Sequence, residues 1–193
     1  MTATTIKSRP IYTSLKIDLS GRRHLLLIGS LEMSRDAFAP GTEASAFNEQ
    51  WRIVSNSLAI PDPGEKITQH SFRSEAHMLT ALKRRLEEER MGLRLYAIGA
   101  EPFVWSVRGL ASEFGMAAQE VHLYATGTAA RRVFCNHCRT VTGRVTTNIF
   151  RCTGCGAHLF VRDHFSRRLN AFAGVQVDAE VPGELPDIEE LYS

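Results

Sequence analysis

A chain of 193 residues, with 44% hydrophobic and 23% charged side chains, has room for one medium domain and a smaller one. No apolar run approaches the roughly 18 residues needed to span a membrane. The first ten residues, MTATTIKSRP, lack the apolar centre of an export signal, so a cytoplasmic, reducing compartment is expected. The formal net charge of +2 is too close to neutral to name a partner, but the charge is unevenly placed, with arginines gathered between Arg131 and Arg168 and carboxylates after them.

Residues 11–19 (IYTSLKIDL) alternate as a strand does, and HLLLIGS, after the turn at Gly21, reads as a buried strand ending at Gly29. Residues 31–42 read as a loop. Phe47, Trp51, Val54 and Leu58 have the spacing of one helical face, PDPGE is a turn, and KITQHSF is a short strand. Ser74 is a candidate cap for a helix running to about Arg90, with Leu79, Leu82 and Leu86 facing inward and Gly92 ending it; its charged residues 83–90 are expected to form a solvated face with ion pairs. LRLYAIG is a strand ending at Gly99. Pro102 suits a first helical turn, Phe103, Val107, Leu110 and Phe114 make one stripe, Gly115 closes that helix, and EVHLYATG is the next strand. Strand, helix and strand in this order predict a parallel pair, so residues 1–127 are expected to form an α/β domain around a small open parallel sheet.

The segment YAIGAEPFVWSVRGLASEFGMAAQEVHLYATG resembles the end of the nicotinamide-binding domain of ferredoxin reductase-type flavoproteins. The resemblance places Gly99, Glu101, Pro102 and Gly115 where that family has a glycine after its strand, a Glu-Pro helix start and a glycine-bounded loop. It makes Gly29, Gly99 and Glu101 the candidates for holding a dinucleotide. The sequence departs from the family at two points. Ile28-Gly29-Ser30-Leu31-Glu32 has no glycine cluster and sets a carboxylate where a pyrophosphate would lie, and Ile98 replaces the cysteine beside the nicotinamide. A nucleotide-binding fold with a degenerate site is the expectation.

The chemistry-bearing motif is FCNHC followed by RCTGCG. Cys135, Cys138, Cys152 and Cys155 are all the cysteines of the chain, in two C-x-x-C pairs separated by thirteen residues. Each pair offers two sulfurs from one tight knuckle, so the four suit a tetrahedral metal ion, and a reducing compartment favours metal over disulfides. Gly154 and Gly156 fit a knuckle that needs positive φ, and residues 140–150 are expected to form a hairpin between the knuckles. Four thiolates leave no open coordination position, which points to structural zinc over 131–170; a single iron or an iron–sulfur cluster satisfies the same spacing. His137 and His158 flank the knuckles as outer-shell or exposed residues, His164 is a packing or interface residue, and no catalytic residue is identified. Residues 171–193 are expected to be an acidic, extended tail, either docked on another subunit or disordered.

The knuckles together with GAHLFVRDHFSRRLNAFAGVQVDAEVPG resemble the C-terminal region of the small subunit of bacterial dimethylamine monooxygenase, and the likeness extends from about Leu15 to Pro186. The resemblance implies an NADPH-dependent complex that converts dimethylamine to methylamine and formaldehyde. Haem would sit on one partner subunit, and FMN and an iron–sulfur cluster on a reductase partner. This chain would be an accessory subunit that assembles them, with its arginines and acidic tail as contact surfaces. Two other readings stand beside it. One is a nucleic-acid-binding zinc ribbon, supported by the arginines near Phe134, Phe150 and Phe160 but opposed by the near-neutral charge; the other is an electron carrier with iron at the four cysteines.

Overall fold

Leu25, Leu26 and Leu27 have no exposed surface, the condition that an uninterrupted apolar run imposes on a strand covered on both faces. They lie in β1 (Arg23–Ile28). The computed structural model describes residues 8–29, 35–42, 46–54, 67–181 and 183–192, which fall into two units: residues 12–127, and residues from 128 onward together with 8–11.

In the first unit, β2 (Glu49–Ile53), β3 (Thr68–Phe72), α1 (Glu75–Glu87), β4 (Leu93–Gly99), α2 (Glu101–Glu113) and β5 (Val121–Ala125) follow β1. The strands form a parallel sheet of order β3-β2-β1-β4-β5. The unit thus has the α/β architecture with a parallel sheet that the sequence predicts, and β4, α2 and β5 form the expected parallel unit. Both helices follow their predicted signals at the N-terminus. The Ser74 hydroxyl accepts the His77 N–H, and Pro102 sits in the first turn of α2, where its missing N–H costs nothing. α2 ends at Glu113, and Gly115, just beyond its cap at Phe114, is left-handed with φ of +77°.

Alternation along β1 and β4 sends Leu26, Ile28, Tyr96 and Ile98 to one face, where Leu15, Ala37 and Phe47 close a fully buried cluster. Residues 12–18 run along this face beside β4. Tyr12 is tied to Glu101 and Trp105 at one end, and Asp18 to Arg94 and the Tyr96 hydroxyl at the other. They are therefore not the strand predicted over 11–19. Among the described residues of this stretch only Leu15 makes a bridge, to Phe38, its N–H donating to the Ala37 carbonyl and its carbonyl accepting the Ala39 N–H.

Two further expectations are corrected. The helix predicted through Phe47, Trp51, Val54 and Leu58 is strand β2 instead over Glu49–Ile53. Trp51 and Ile53 alternate with Gln50 and Arg52, a period of two that the four-residue step from Phe47 to Trp51 disguises. The Trp51 ring packs at a tilt against Phe72 of β3, 5.0 Å between ring centres. Leu58 and the PDPGE turn lie outside the described residues, as do residues 31–34 of the predicted loop. In α1 the inward stripe is Met78, Leu82 and Leu86, and the helix ends at Glu87 rather than near Arg90. Glu89 explains the early end: its carboxylate is buried between Arg23 and Arg85, which pulls the chain out of the helix towards β1.

The second unit contains β6 (Arg131–Cys135), β7 (Val141–Val145), β8 (Ile149–Arg151), β9 (His158–Ser166) and β10 (Ala171–Gln176), ordered β7-β6-β10-β9-β8. The hairpin predicted between the knuckles is absent, since β7 and β8 lie on opposite edges of the sheet. Residues 171–176, which the sequence groups with the acidic tail, form the central strand β10. The rest of the tail is anchored to its own unit. The Leu191 and Tyr192 N–H groups donate to the Thr146 carbonyl, Glu189 and Asp187 bond with Asn148, and the Tyr192 ring lies 3.8 Å from the Arg131 guanidinium. Phe172 covers the other side of Arg131 at 4.1 Å, so a nearly buried arginine is held by two rings and by Asp163 at 2.8 Å.

The Asp18 carboxylate accepts from Ser20 and then from Arg94, which holds it well below the usual carboxylate range. A depressed folded-state value stabilises the fold above the ordinary value of about 4 and loses that contribution as pH falls through the acid range. Asp18→Asn is therefore expected to lower the urea midpoint at neutral pH, with the difference from the wild type shrinking as the pH falls through the acid range. Parallel urea titrations across pH check this; an unchanged midpoint at pH 7 contradicts it.

Candidate metal centre

Each knuckle is the turn of its own hairpin, the first between β6 and β7 and the second between β8 and β9. The two have the same hydrogen-bonding plan. The Arg139 N–H donates to the Cys135 carbonyl at 2.9 Å and the Gly156 N–H to the Cys152 carbonyl at 3.0 Å. The Cys135 N–H donates to the Thr140 carbonyl and the Cys152 N–H to the Ala157 carbonyl, both at 2.9 Å. The residue after each second cysteine is left-handed, with φ of +65° at Arg139 and +76° at Gly156. Glycine occupies this position at no cost in the second knuckle, whereas Arg139 adopts it against its own preference. Gly154 is required for a different reason from the one predicted. Its φ is not positive, but a Cβ there would fall 2.9 Å from the Thr140 Cβ and 3.0 Å from the Cys138 Sγ. Its own N–H donates to the Cys152 sulfur at 3.4 Å, and the Cys138 N–H to the Cys135 sulfur at 3.5 Å.

The four sulfurs converge to within 4.8 Å of one another. Cys135 and Cys155 are 3.9 Å apart and Cys138 and Cys152 3.6 Å. A tetrahedral zinc ion with bonds of about 2.3 Å sets its sulfurs about 3.8 Å apart, so the donor set has the dimensions of one ion and is too tight for sulfurs that each bind a separate metal atom. The four are free thiols, with Cys135 and Cys152 buried against Leu159, Phe150 and Ala157. The Thr140 hydroxyl and N–H lower the Cys138 thiol to about 6. At Cys155 the Ala157 N–H pulls down, but burial and the three neighbouring sulfurs prevail and raise the thiol to about 11. Four thiolates this close repel one another, and a bound cation is what relieves them. His137 is exposed, and His158 lies 3.9 Å from Asp178; neither belongs to the sulfur cluster. His164 is exposed. Thr140 escapes sequence reading, since nothing marks it apart from the other threonines between the knuckles.

The dinucleotide candidates lie together in the first unit, at the carboxyl ends of β1 and β4 where the strand order reverses. Gly29 donates its N–H to the Ile98 carbonyl at 2.8 Å. A Cβ at Gly29 would fall 2.6 Å from Phe103 Cε1, and one at Gly99 2.8 Å from Phe103 Cδ1. The space opened by these two glycines is therefore taken by a buried phenyl ring, which the sequence places only in an apolar stripe. Glu101 accepts the Tyr12 hydroxyl at 2.6 Å, and Tyr12 accepts the Trp105 indole N–H at 2.8 Å. Next to this carboxylate, the Tyr12 hydroxyl is raised far above its ordinary value, first by burial and then by Glu101. The described part of the crevice does not fit a pyrophosphate.

Residues 132–175 match the family model for the C-terminal domain of DmmA-like dimethylamine monooxygenase subunits, and residues 52–121 match that for the N-terminal domain. The first match runs from β6 into β10 and contains all four cysteines. The chain is 35% identical over 176 residues to the heme-dependent oxidative N-demethylase delta subunit of Ectopseudomonas mendocina (strain ymp), with 91% of each chain covered. No solved structure matches the chain significantly.

Two variants separate the packing requirements. Gly154→Ala is expected to force Thr140 and Cys138 apart and to lower metal affinity at least about tenfold, whereas Phe103→Ala is expected to cost about 3–5 kcal/mol of stability in the first unit and leave metal affinity unchanged. Competition with a chromophoric chelator and thermal unfolding measure the two effects, and equal metal affinity in Gly154→Ala and wild type contradicts the first.

Proposed function

The chain belongs to the family of DmmA-like dimethylamine monooxygenase subunits, and on that premise we propose that it is a non-catalytic subunit of an oxidative N-demethylase complex. The reaction assigned to the complex is the NADPH-dependent conversion of dimethylamine to methylamine and formaldehyde. Haem would be held by one partner and FMN and an iron–sulfur cluster by a reductase partner, while this chain assembles the two in the cytoplasm. The observation that carries an accessory role is the closed donor set: Cys135, Cys138, Cys152 and Cys155 fill a tetrahedron among themselves, so an ion bound there has no position for water, oxygen or amine. We assign zinc to this site. Such an ion ties the ends of two hairpins together and supplies folding energy to a small unit.

Phe103 lies against Gly29 and Gly99 and Glu101 is engaged by Tyr12, which supports NADPH binding on the reductase partner instead of on this chain. A single iron would fit the same sulfur spacing and make the chain an electron carrier. Metal analysis and an absorption spectrum decide between the two: one zinc per chain and no visible absorption are expected, and one iron with thiolate charge-transfer bands contradicts the zinc assignment.

Cys152→Ser is expected to lose the ion and unfold residues 131–176 while the first unit keeps its thermal transition. Retained metal would show that the ligands are misassigned. In co-expression with the haem and reductase subunits, the wild-type chain is expected to co-purify with both and to restore demethylation that they cannot perform fully without it. A complex equally active without this chain contradicts the assembly role. Direct NADPH titration of the isolated chain is expected to give no micromolar complex.

A further inference from the structure

The sheet of the second unit has one face turned to its own core, with Val133, Val161, Phe165 and Phe172 buried. The pairing registers set Val141 opposite Phe134, Phe134 beside Ala173, and Val175 opposite Phe160. These five side chains therefore form an apolar row on the other face, crossing β7, β6, β10 and β9. That row is open. Val141 is 36% and Phe160 37% exposed, and Phe134, Ala173 and Val175 are only half-buried. Alternation puts Arg132 and Arg162 on the same face, and the Arg162 guanidinium lies 5.9 Å over the Phe160 ring. Asp163 is the one acid between Arg131 and Arg168, and it is already engaged by Arg131 at 2.8 Å and Arg9 at 3.4 Å.

We infer that this face is the docking surface for a partner subunit that presents an apolar centre rimmed by carboxylates. The inference rests on the accessory role proposed above and identifies the surface that performs it. An apolar row that ends in a half-exposed aromatic, with arginine beside it, has the composition of an interface core, and charge complementarity specifies an acidic rim opposite. The chain's own acidic tail does not cover the row, because its backbone is fixed along residues 146–148 while Phe160 stays open. Nucleic acid is a poorer occupant, since the row offers aliphatic side chains at its centre where phosphate contacts would need donors.

The test uses the full chain co-expressed with the haem and reductase subunits, in wild-type form and as Phe160→Asp, Arg162→Glu and Lys83→Glu. Lys83 is exposed on α1 and controls for the loss of positive charge. Metal content and thermal unfolding of each variant establish that it is folded. Phe160→Asp and Arg162→Glu are expected to weaken incorporation at least about tenfold, and Arg162→Glu to flatten its salt dependence, with Lys83→Glu unchanged. Incorporation of both face variants at the wild-type level overturns the docking surface while leaving the accessory role intact. Failure of the wild-type chain to enter the complex overturns both. Self-association of the isolated chain that Phe160→Asp abolishes assigns the face to a second copy and likewise overturns the proposal.

Discussion

Four sulfurs held within 4.8 Å of one another are the constraint on which the second unit depends. Two hairpins of a five-stranded sheet end at this point, where Leu159, Phe150 and Ala157 pack against the cysteines. The knuckles share their backbone bonds, with a backbone N–H returned to each first cysteine's carbonyl and a left-handed residue after each second cysteine. This arrangement has the dimensions that one tetrahedral ion requires. Arg139 accepts an unfavourable backbone conformation, and the thiols of Cys138 and Cys155 are driven in opposite directions when no cation shares their charge. Around that centre the unit is closed by Arg131 between Phe172 and Tyr192, which draws the last residues of the chain back onto the sheet.

The first unit fills with its own side chains the place where a parallel α/β sheet commonly binds a ligand. Its parallel sheet has a topological switch point between β1 and β4, and glycines stand at both strand ends as a dinucleotide would need. The allowance they create is filled by Phe103, and the helix N-terminus that would face a phosphate carries Glu101, already bonded to Tyr12. Residues 12–18 then seal the sheet face that the helices leave open. The described part of the crevice between β1 and β4 is thus filled by the unit's own side chains.

The metal centre was legible because its chemistry is written in residue identity: four cysteines at two fixed spacings admit few arrangements. The parallel unit from Leu93 to Ala125 was legible for a related reason, since a buried run, a Pro-started helix and a second run each carry a local signal. The errors have a physical cause as well. Trp51 and Ile53 form too short an alternation to outweigh the four-residue step from Phe47, and only the neighbouring strands decide the matter. Residues 171–176 were grouped with an acidic tail by composition, although AFAGVQ is apolar and occupies the centre of a sheet. Gly154 was singled out for the wrong reason, because a close approach to Thr140 and Cys138 depends on the second hairpin, which local sequence does not encode. In the sequence Phe103 reads as one residue of a helical stripe; that it fills the space beside Gly29 follows only once β1 and β4 are paired.

The central claim is that one ion folds the second unit and that the first unit is independent of it. Hydrogen exchange of the intact chain, followed by mass spectrometry with and without a zinc chelator, tests this most directly. Chelation is predicted to remove amide protection across residues 131–176 and at Leu191 and Tyr192, while protection in Leu93–Gly99 and Val121–Ala125 stays unchanged. Undiminished protection at Cys135, Cys152 and Phe172 after the metal has been removed would contradict the account.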